Sequence, residues 1–124
     1  MSSYALTLML IAFLQRTTPP ILPLLQNQPS TIADFEGFEH AFDADWSKYS
    51  TFGSANKLSA GKLLEQFFHF YGWVVHFGEH EINARLGWIG DRRKDSVAAD
   101  ADAHQLRVQQ NAPICIMDPF ERHP

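Results

Sequence analysis

Residues 1–26 read MSSYALTLMLIAFLQRTTPPILPLLQ, and the way that stretch is taken decides the fold. Its apolar run from Ala5 to Leu14 covers ten residues and includes Thr7, whereas a membrane span needs about 20. It makes a poor secretory signal as well. No Lys or Arg precedes the run, the first basic residue is Arg16 behind it, and Thr17-Thr18-Pro19-Pro20 offers no small-x-small cleavage site. The run therefore reads as a helix capped by Ser2 or Ser3, ending near Gln15 and buried nearly all round. Pro19, Pro20 and Pro23 stop it and favour an extended continuation.

A helix of that kind needs a core, and 124 residues are enough to build one. Hydrophobic residues make up 45% and charged residues 19%, which places the chain among globular rather than disordered sequences. Ten Phe, three Trp and three Tyr imply a core of large flat side chains. Ten basic against fourteen acidic residues give a net charge of −4, so no broad basic field marks a nucleic-acid binder. The single Cys115 excludes an internal disulfide framework and fits a reducing compartment, cytoplasmic or nuclear.

The clearest periodic element is residues 56–73, NKLSAGKLLEQFFHFYGW. Ser59 is placed as an N-cap, and Leu63, Leu64, Phe67, Phe68, Phe70 and Tyr71 fall on one broad helical face. Lys62, Glu65, Gln66 and His69 fall on the other. After Gly72 the pattern predicts two short strands, Trp73–Phe77 and Glu81–Leu86, around Gly78. Residues 27–55 read as a loop, with Phe35, Phe38, Phe42, Trp46 and Phe52 pinning it to a core elsewhere. Gly87 to Gln110 reads as a polar surface loop, and Ile114–Met117 as a short buried strand.

Several constellations invite a chemical reading and fail on their context. Asp43-Ala44-Asp45 and Asp100-Ala101-Asp102 are carboxylate pairs of the type that hold two Mg²⁺ ions. The Gly53-Ser54 that could open such a site is followed by a helix rather than a strand, so both pairs read as solvated loop acids. His76 and His80 stand four apart, and His80-Glu81 is half of a zinc-protease motif, but a glycine and two predicted strands intervene. Cys115 between two isoleucines reads as inert core, and Arg92-Arg93-Lys94 as a solvated turn.

Three separated runs carry more. Ser2-Ser3-Tyr4-Ala5-Leu6 leads to Pro19-Pro20-Ile21-Leu22-Pro23-Leu24-Leu25-Gln26; residues 56–72 follow; and Ile116-Met117-Asp118-Pro119-Phe120-Glu121 closes the series. In this order and spacing they resemble the noncanonical poly(A) polymerase and terminal uridylyltransferase family. The resemblance covers most of the chain outside residues 27–55 and 87–110. It implies a predominantly helical α+β fold, part of the helical central domain of a nucleotidyltransferase with a small β element. Residues 1–26 would be its helix and Pro-rich segment, 27–55 a loop, and 56–124 a PAP-associated domain truncated at its C-terminal end.

Members of that family add nucleotides to RNA 3′ ends with a two-metal catalytic domain and a helical central domain, the NTP lying between them. By motif match, Tyr4 would stack on the incoming base, Ser3 would hydrogen-bond the triphosphate, and Asp118 and Glu121 would face the base edge. Without the family, Tyr4 reads as a boundary aromatic, Asp118 as a turn initiator before Pro119, and Glu121 as a surface acid. The implied partners are an NTP, an RNA 3′ end and a missing nucleotidyltransferase domain, with no membrane. The implied Mg²⁺ or Mn²⁺ would be bound outside this chain. No catalytic and no metal-ligating residue is assigned within it, because a Gly-Ser followed by a strand-borne Asp-x-Asp is absent. Some uridine-adding relatives carry a histidine three places after the residue matching Glu121; here position 124 is Pro, and base choice stays open. The expectation is an enzyme half that is inactive alone; the alternative is a non-catalytic helical interaction module derived from that family.

Overall fold

Helix α1 runs from Ser3 to Arg16, and its start is set by Ser2, whose hydroxyl accepts the Ala5 N–H at 3.1 Å. Its end is set three residues before Pro19, and the chain then turns back on the helix. The Leu14 carbonyl accepts the N–H groups of Ile21 and Leu22 at 2.9 and 3.2 Å, taking up a carbonyl that the helix end leaves over. The computed structural model describes residues 1–26, 31–35, 38–92 and 113–119. Residues beyond these ranges, Glu121 among them, lie outside the described part.

After α1 come strands β1 (Thr31–Phe35) and β2 (Phe38–Phe42), then a 3-10 turn at Trp46–Tyr49. Helix α2 (Ala60–His69) starts at Ser59, which accepts the Lys62 N–H at 3.2 Å, and passes without a break into a π-helical turn, Phe70–Val74. Strands β3 (His80–Asn83), β4 (Trp88–Asp91) and β5 (Cys115–Met117) follow. β1 and β2 form an antiparallel hairpin, while β3 is the centre of a second sheet, antiparallel to β4 and parallel to β5.

The core lies between α1, α2 and the three-stranded sheet. Leu8, Met9, Ala12 and Phe13 form one stripe of α1 and meet Phe67, Tyr71 and Val75 from the second helical element and Ile82 from β3. Phe13 and Phe67 pack edge-to-face with ring centroids 5.7 Å apart, the arrangement that aromatic quadrupoles favour. The Tyr71 hydroxyl donates to the Met9 carbonyl at 2.6 Å, so one buried phenol fixes the π-helical turn against α1. No helix among the described residues is long and apolar enough to cross a membrane.

Helices with a small sheet make an α+β fold, and the predicted α2, its Ser59 cap and the strand at Cys115–Met117 are present. Five expectations change. The predicted strand Trp73–Phe77 begins as the π-helical turn, where the Val75 N–H reaches the Phe70 carbonyl at 2.9 Å. Burial of Tyr71 and Val75 against α1 outweighs the helix-breaking tendency of Gly72. The expected loop at 27–55 contains the β1–β2 hairpin, and the expected loop after Gly87 begins with β4. Helix α1 is not buried all round, since Leu6 and Leu10 stay exposed. Trp46 pins nothing, being 79% exposed.

Charged residues read as solvated are also reassigned. Asp43 is buried and accepts from the Tyr49 hydroxyl at 2.7 Å, the Lys48 ammonium at 3.3 Å and the Asp45 N–H at 3.1 Å. Arg92 is buried too, its guanidinium held by the carbonyls of Phe77, His80 and Pro113. In each case burial is tolerable because the charge is met by several hydrogen-bond partners. Asp100, Asp102, Arg93 and Lys94 lie outside the described residues.

Candidate functional site

Tyr4 stands in the first turn of α1, about half exposed. Asp118 follows directly on β5, whose parallel pairing with β3 sets Asn83 opposite Met117 and so fixes where the chain leaves the sheet. The two residues are 114 positions apart, and the Tyr4 hydroxyl donates to Asp118 Oδ1 at 2.9 Å. One step further on, the Gln26 side-chain amide donates to the Pro119 carbonyl at 3.1 Å. The head of α1, the end of the Pro-rich run and the Asp-Pro run are thereby joined at one place. Ser3, beside Tyr4, is exposed at the helix N-terminus, where the helix dipole favours negative charge.

Of the four residues singled out from the sequence, the structure brings Tyr4 and Asp118 into contact and sets Ser3 next to them in the same helical turn. Glu121 lies outside the described residues. The broad apolar face expected of α2 divides. Phe67 and Tyr71 are buried under α1 and Phe70 packs against the same core, whereas Leu64 and Phe68 face outward, Phe68 at 65% exposure. Burial in an apolar setting pushes the Tyr71 phenol well above its ordinary value, opposed weakly by Arg16. The same cause raises the Cys115 thiol, with Glu81 adding to the rise and Arg92 opposing it, which keeps the thiol protonated and unreactive.

A cavity of about 540 Å³ opens beside Tyr4, between α1 and the Pro-rich run. Tyr4, Thr7, Ile11 and Gln15 line one wall, and Gln26 and Pro119, the residue after Asp118, also line the cavity. Sequence reasoning gave no role to Gln15 or Thr7 and read Arg92 as part of a solvated turn. The spacing of 4, 7, 8, 11 and 15 is itself a helical stripe, so the first two were available to a reading of α1 by sectors. Arg92 left no such trace. Among the described residues no cluster of three or more His, Cys, Asp or Glu side chains comes together, and the Asp43 carboxylate is already occupied by Tyr49 and Lys48. His76 and His80 meet through a backbone contact, the His76 N–H donating to His80 Nδ1 at 3.1 Å.

Comparison with known proteins places this geometry in context. Poly(A) RNA polymerase cid13 of Schizosaccharomyces pombe is 32% identical over 125 residues, an alignment covering 97% of this chain and 20% of that polymerase. The crystal structure of the Cid1 poly(U) polymerase superposes with a TM-score of 0.71 at 25% identity, over 97% of this chain and 34% of the other. A structure of mtPAP in complex with UTP shares the fold, with a TM-score of 0.71 at 24% identity, over all of this chain and 24% of that one. The chain therefore spans about a fifth of the length of the curated relatives it matches. No protein-family profile matches it.

Proposed function

We propose that this chain, which belongs to the noncanonical poly(A) polymerase and terminal uridylyltransferase family, forms the nucleotide-base side of the cleft in a template-independent RNA 3′-terminal nucleotidyltransferase. In that role it is the PAP-associated part of the central domain. The parent reaction joins an RNA 3′ oxygen to the α-phosphorus of an NTP and releases pyrophosphate. Mg²⁺ or Mn²⁺, held by carboxylates of a catalytic domain outside these residues, would supply the activation of the hydroxyl and the neutralisation of the leaving group. The residues of this chain bind and orient.

One observation carries the reading: the bond from Tyr4 to Asp118. It fixes the plane of a half-exposed aromatic ring, and a fixed ring face stacks on any base, worth about 1–3 kcal/mol. It also anchors a carboxylate beside that ring, and carboxylate oxygens are acceptors suited to the N–H donors of a base edge. Ser3 lies in the first turn of α1, where a hydroxyl and the helix terminus favour an anion, and this supports its assignment to the triphosphate. Glu121 joins the assignment on motif alone.

The test is a titration of UTP and ATP with Mg²⁺ into the protein, followed by amide and aromatic resonances. Shifts centred on Ser3, Tyr4 and Asp118, lost in Tyr4→Ala, are expected. Absence of any perturbation there at millimolar nucleotide would sink the assignment. In a primer-extension assay this chain alone adds no nucleotide, and clear extension would overturn the placement of the metal site elsewhere.

A second reading, a non-catalytic interaction module, is favoured by the exposed apolar side of α2. Phe68 and Trp73 share a shallow hollow with Lys62 and His69, and Trp73 is 78% exposed. Primer extension by the full-length protein separates the two readings, since a module adds nothing in any context.

A further inference from the structure

The outer side of α2 carries a knob and a notch seven residues apart. Phe68 projects at 65% exposure, and a Cβ built on Gly61 would meet nothing within 4 Å among the described residues beyond the adjoining chain. Gly61, Leu64 and Phe68 stand at i, i+3 and i+7, so they share one stripe of the helix, and Leu64 is exposed as well. No backbone requirement accounts for the glycine, since Gly61 is not among the glycines with positive φ and a residue with a side chain would favour the helix. What a glycine supplies there is room for close approach from outside.

Two copies of this stripe are complementary. In an antiparallel pair of α2 helices that sets Phe68 of each copy over Gly61 of the other, the register places Leu64 beside Glu65 of the second copy. A two-fold axis between the helices sets each flank against the same flank of the other copy. Lys62 and Glu65 share one flank, where they already pair at 3.0 Å, and Trp73 joins them in one hollow with Phe68. Glu65 of the second copy comes level with residue 64, about 3 Å along the axis from Lys62, so each ammonium meets two carboxylates. A flank with both charges of one sign would instead repel its copy. We infer that this face is a homodimer interface, an isologous α2–α2 contact with Phe68 seated on Gly61 and Lys62 paired across the two-fold with Glu65. Leu64, Phe68 and Trp73 bury about 400–500 Å² per copy, short of the usual 800 Å² or so, which makes the dimer weak, with Kd about 10⁻⁴ M. Neither Tyr4 nor Asp118 belongs to the stripe, so the pairing is independent of the nucleotide reading, and its test contains no nucleotide.

Sedimentation equilibrium of the wild-type chain from about 10 µM to about 1 mM is expected to show monomer and dimer and nothing larger, because an isologous contact closes at two. Gly61→Gln fills the notch with a better helix former, and Phe68→Ala removes the knob. Each is expected to weaken the dimer about tenfold or more, while Gly61→Gln leaves the melting temperature of the dilute protein no lower than wild type. Glu65→Lys should weaken the dimer too, and adding Lys62→Glu in the same chain should restore it. In the wild-type amide spectrum, dilution is expected to move the signals of Gly61, Leu64 and Phe68 and to leave Tyr4 in place, a readout that decides the matter even if a variant fails to fold. A monomer throughout would leave the face to a different protein and overturn the inference. Masses beyond two copies, dilution shifts centred elsewhere, a dimer indifferent to Gly61→Gln and Phe68→Ala, or a charge swap without rescue would each overturn it as well.

Discussion

Replacing Arg92 with Met removes a charge and keeps the aliphatic stem, so it isolates what the guanidinium contributes. Nε donates to the His80 carbonyl at 3.1 Å, and Nη2 reaches the carbonyls of Phe77 and of Pro113, the latter at 3.3 Å. These acceptors belong to three separate segments: the connection after the π-helical turn, the start of β3 and the approach to β5. One buried side chain thus ties the second helical element to two strands. A hydrogen bond with a charged partner is worth about 1.5–3 kcal/mol, and the lower value suits contacts of this length. Three would sum to about 4–5 kcal/mol, of which the carbonyls nearer the surface recover part through water, leaving a cost of about 3 kcal/mol.

Against a typical total of about 5–15 kcal/mol that loss is large, and for a domain of this size it corresponds to a fall in melting temperature of about 10 °C. Urea denaturation followed by tryptophan fluorescence measures it directly. Arg92→Lys should fall between, since an ammonium has donors but no planar fork to span three carbonyls. The variant should also loosen the Asp118 contact, because β5 delivers that residue to Tyr4. A midpoint for Arg92→Met within about 0.5 kcal/mol of wild type would refute the argument, showing the side chain to be the solvated turn residue its sequence neighbours suggest.

Tyr71→Phe deletes the 2.6 Å bond to Met9 and should cost about 1 kcal/mol in the same assay. The folded state holds the Tyr71 proton more tightly than the unfolded chain does, so its contribution is complete below about pH 10 and drains away above. Melting temperatures at about pH 9 and about pH 11 should therefore diverge more for wild type than for Tyr71→Phe. Gly53 has φ 84°, and a Cβ there would come 2.6 Å from the Ile21 carbonyl oxygen, so Gly53→Ala should destabilise by more than about 2 kcal/mol by thermal melting. For nucleotide affinity measured by calorimetry, Tyr4→Ala should lose about 5–150-fold while Tyr4→Phe keeps most of the binding. A double-mutant cycle of Tyr4→Phe with Asp118→Asn should return a coupling of about 1 kcal/mol or less, the contact being exposed to solvent.

What could be read from the residues followed local rules. Ser59 caps because a short hydroxyl one residue before a helix reaches its first N–H groups, and α2 shows its period because its polar and apolar sides differ. The prolines stop α1 wherever it is buried. The hairpin at 31–42 was missed because the two five-residue runs on either side of Glu36-Gly37 lack a clean alternation of polar and apolar residues, and their pairing comes from each other. Asp43 and Arg92 were missed for a different reason. Nothing in a sequence separates a buried charge from a solvated one, since the partners that make burial tolerable are carbonyls and hydroxyls brought in by the fold. At the site, the pairing of Tyr4 with Asp118 spans nearly the whole chain, and only the resemblance to a family placed the two residues together beforehand.

The membrane-like look of α1 has a physical explanation in the same terms. At 100° per residue the helix divides into three sectors. Leu8, Met9, Ala12 and Phe13 face the core; Tyr4, Thr7, Ile11 and Gln15 face the cavity; Leu6 and Leu10 face outward at 50% and 45% exposure. A helix with one apolar partner shows an amphipathic period, but apolar residues in all three sectors erase it. The sequence then resembles all-round burial even though only one sector is buried. The few polar residues keep the distinction: Thr7 and Gln15 both fall in the cavity sector, with Tyr4 at its head and Asp118 across from it. In a helix without a clear period, the sector that gathers the polar groups is the place to look for a site.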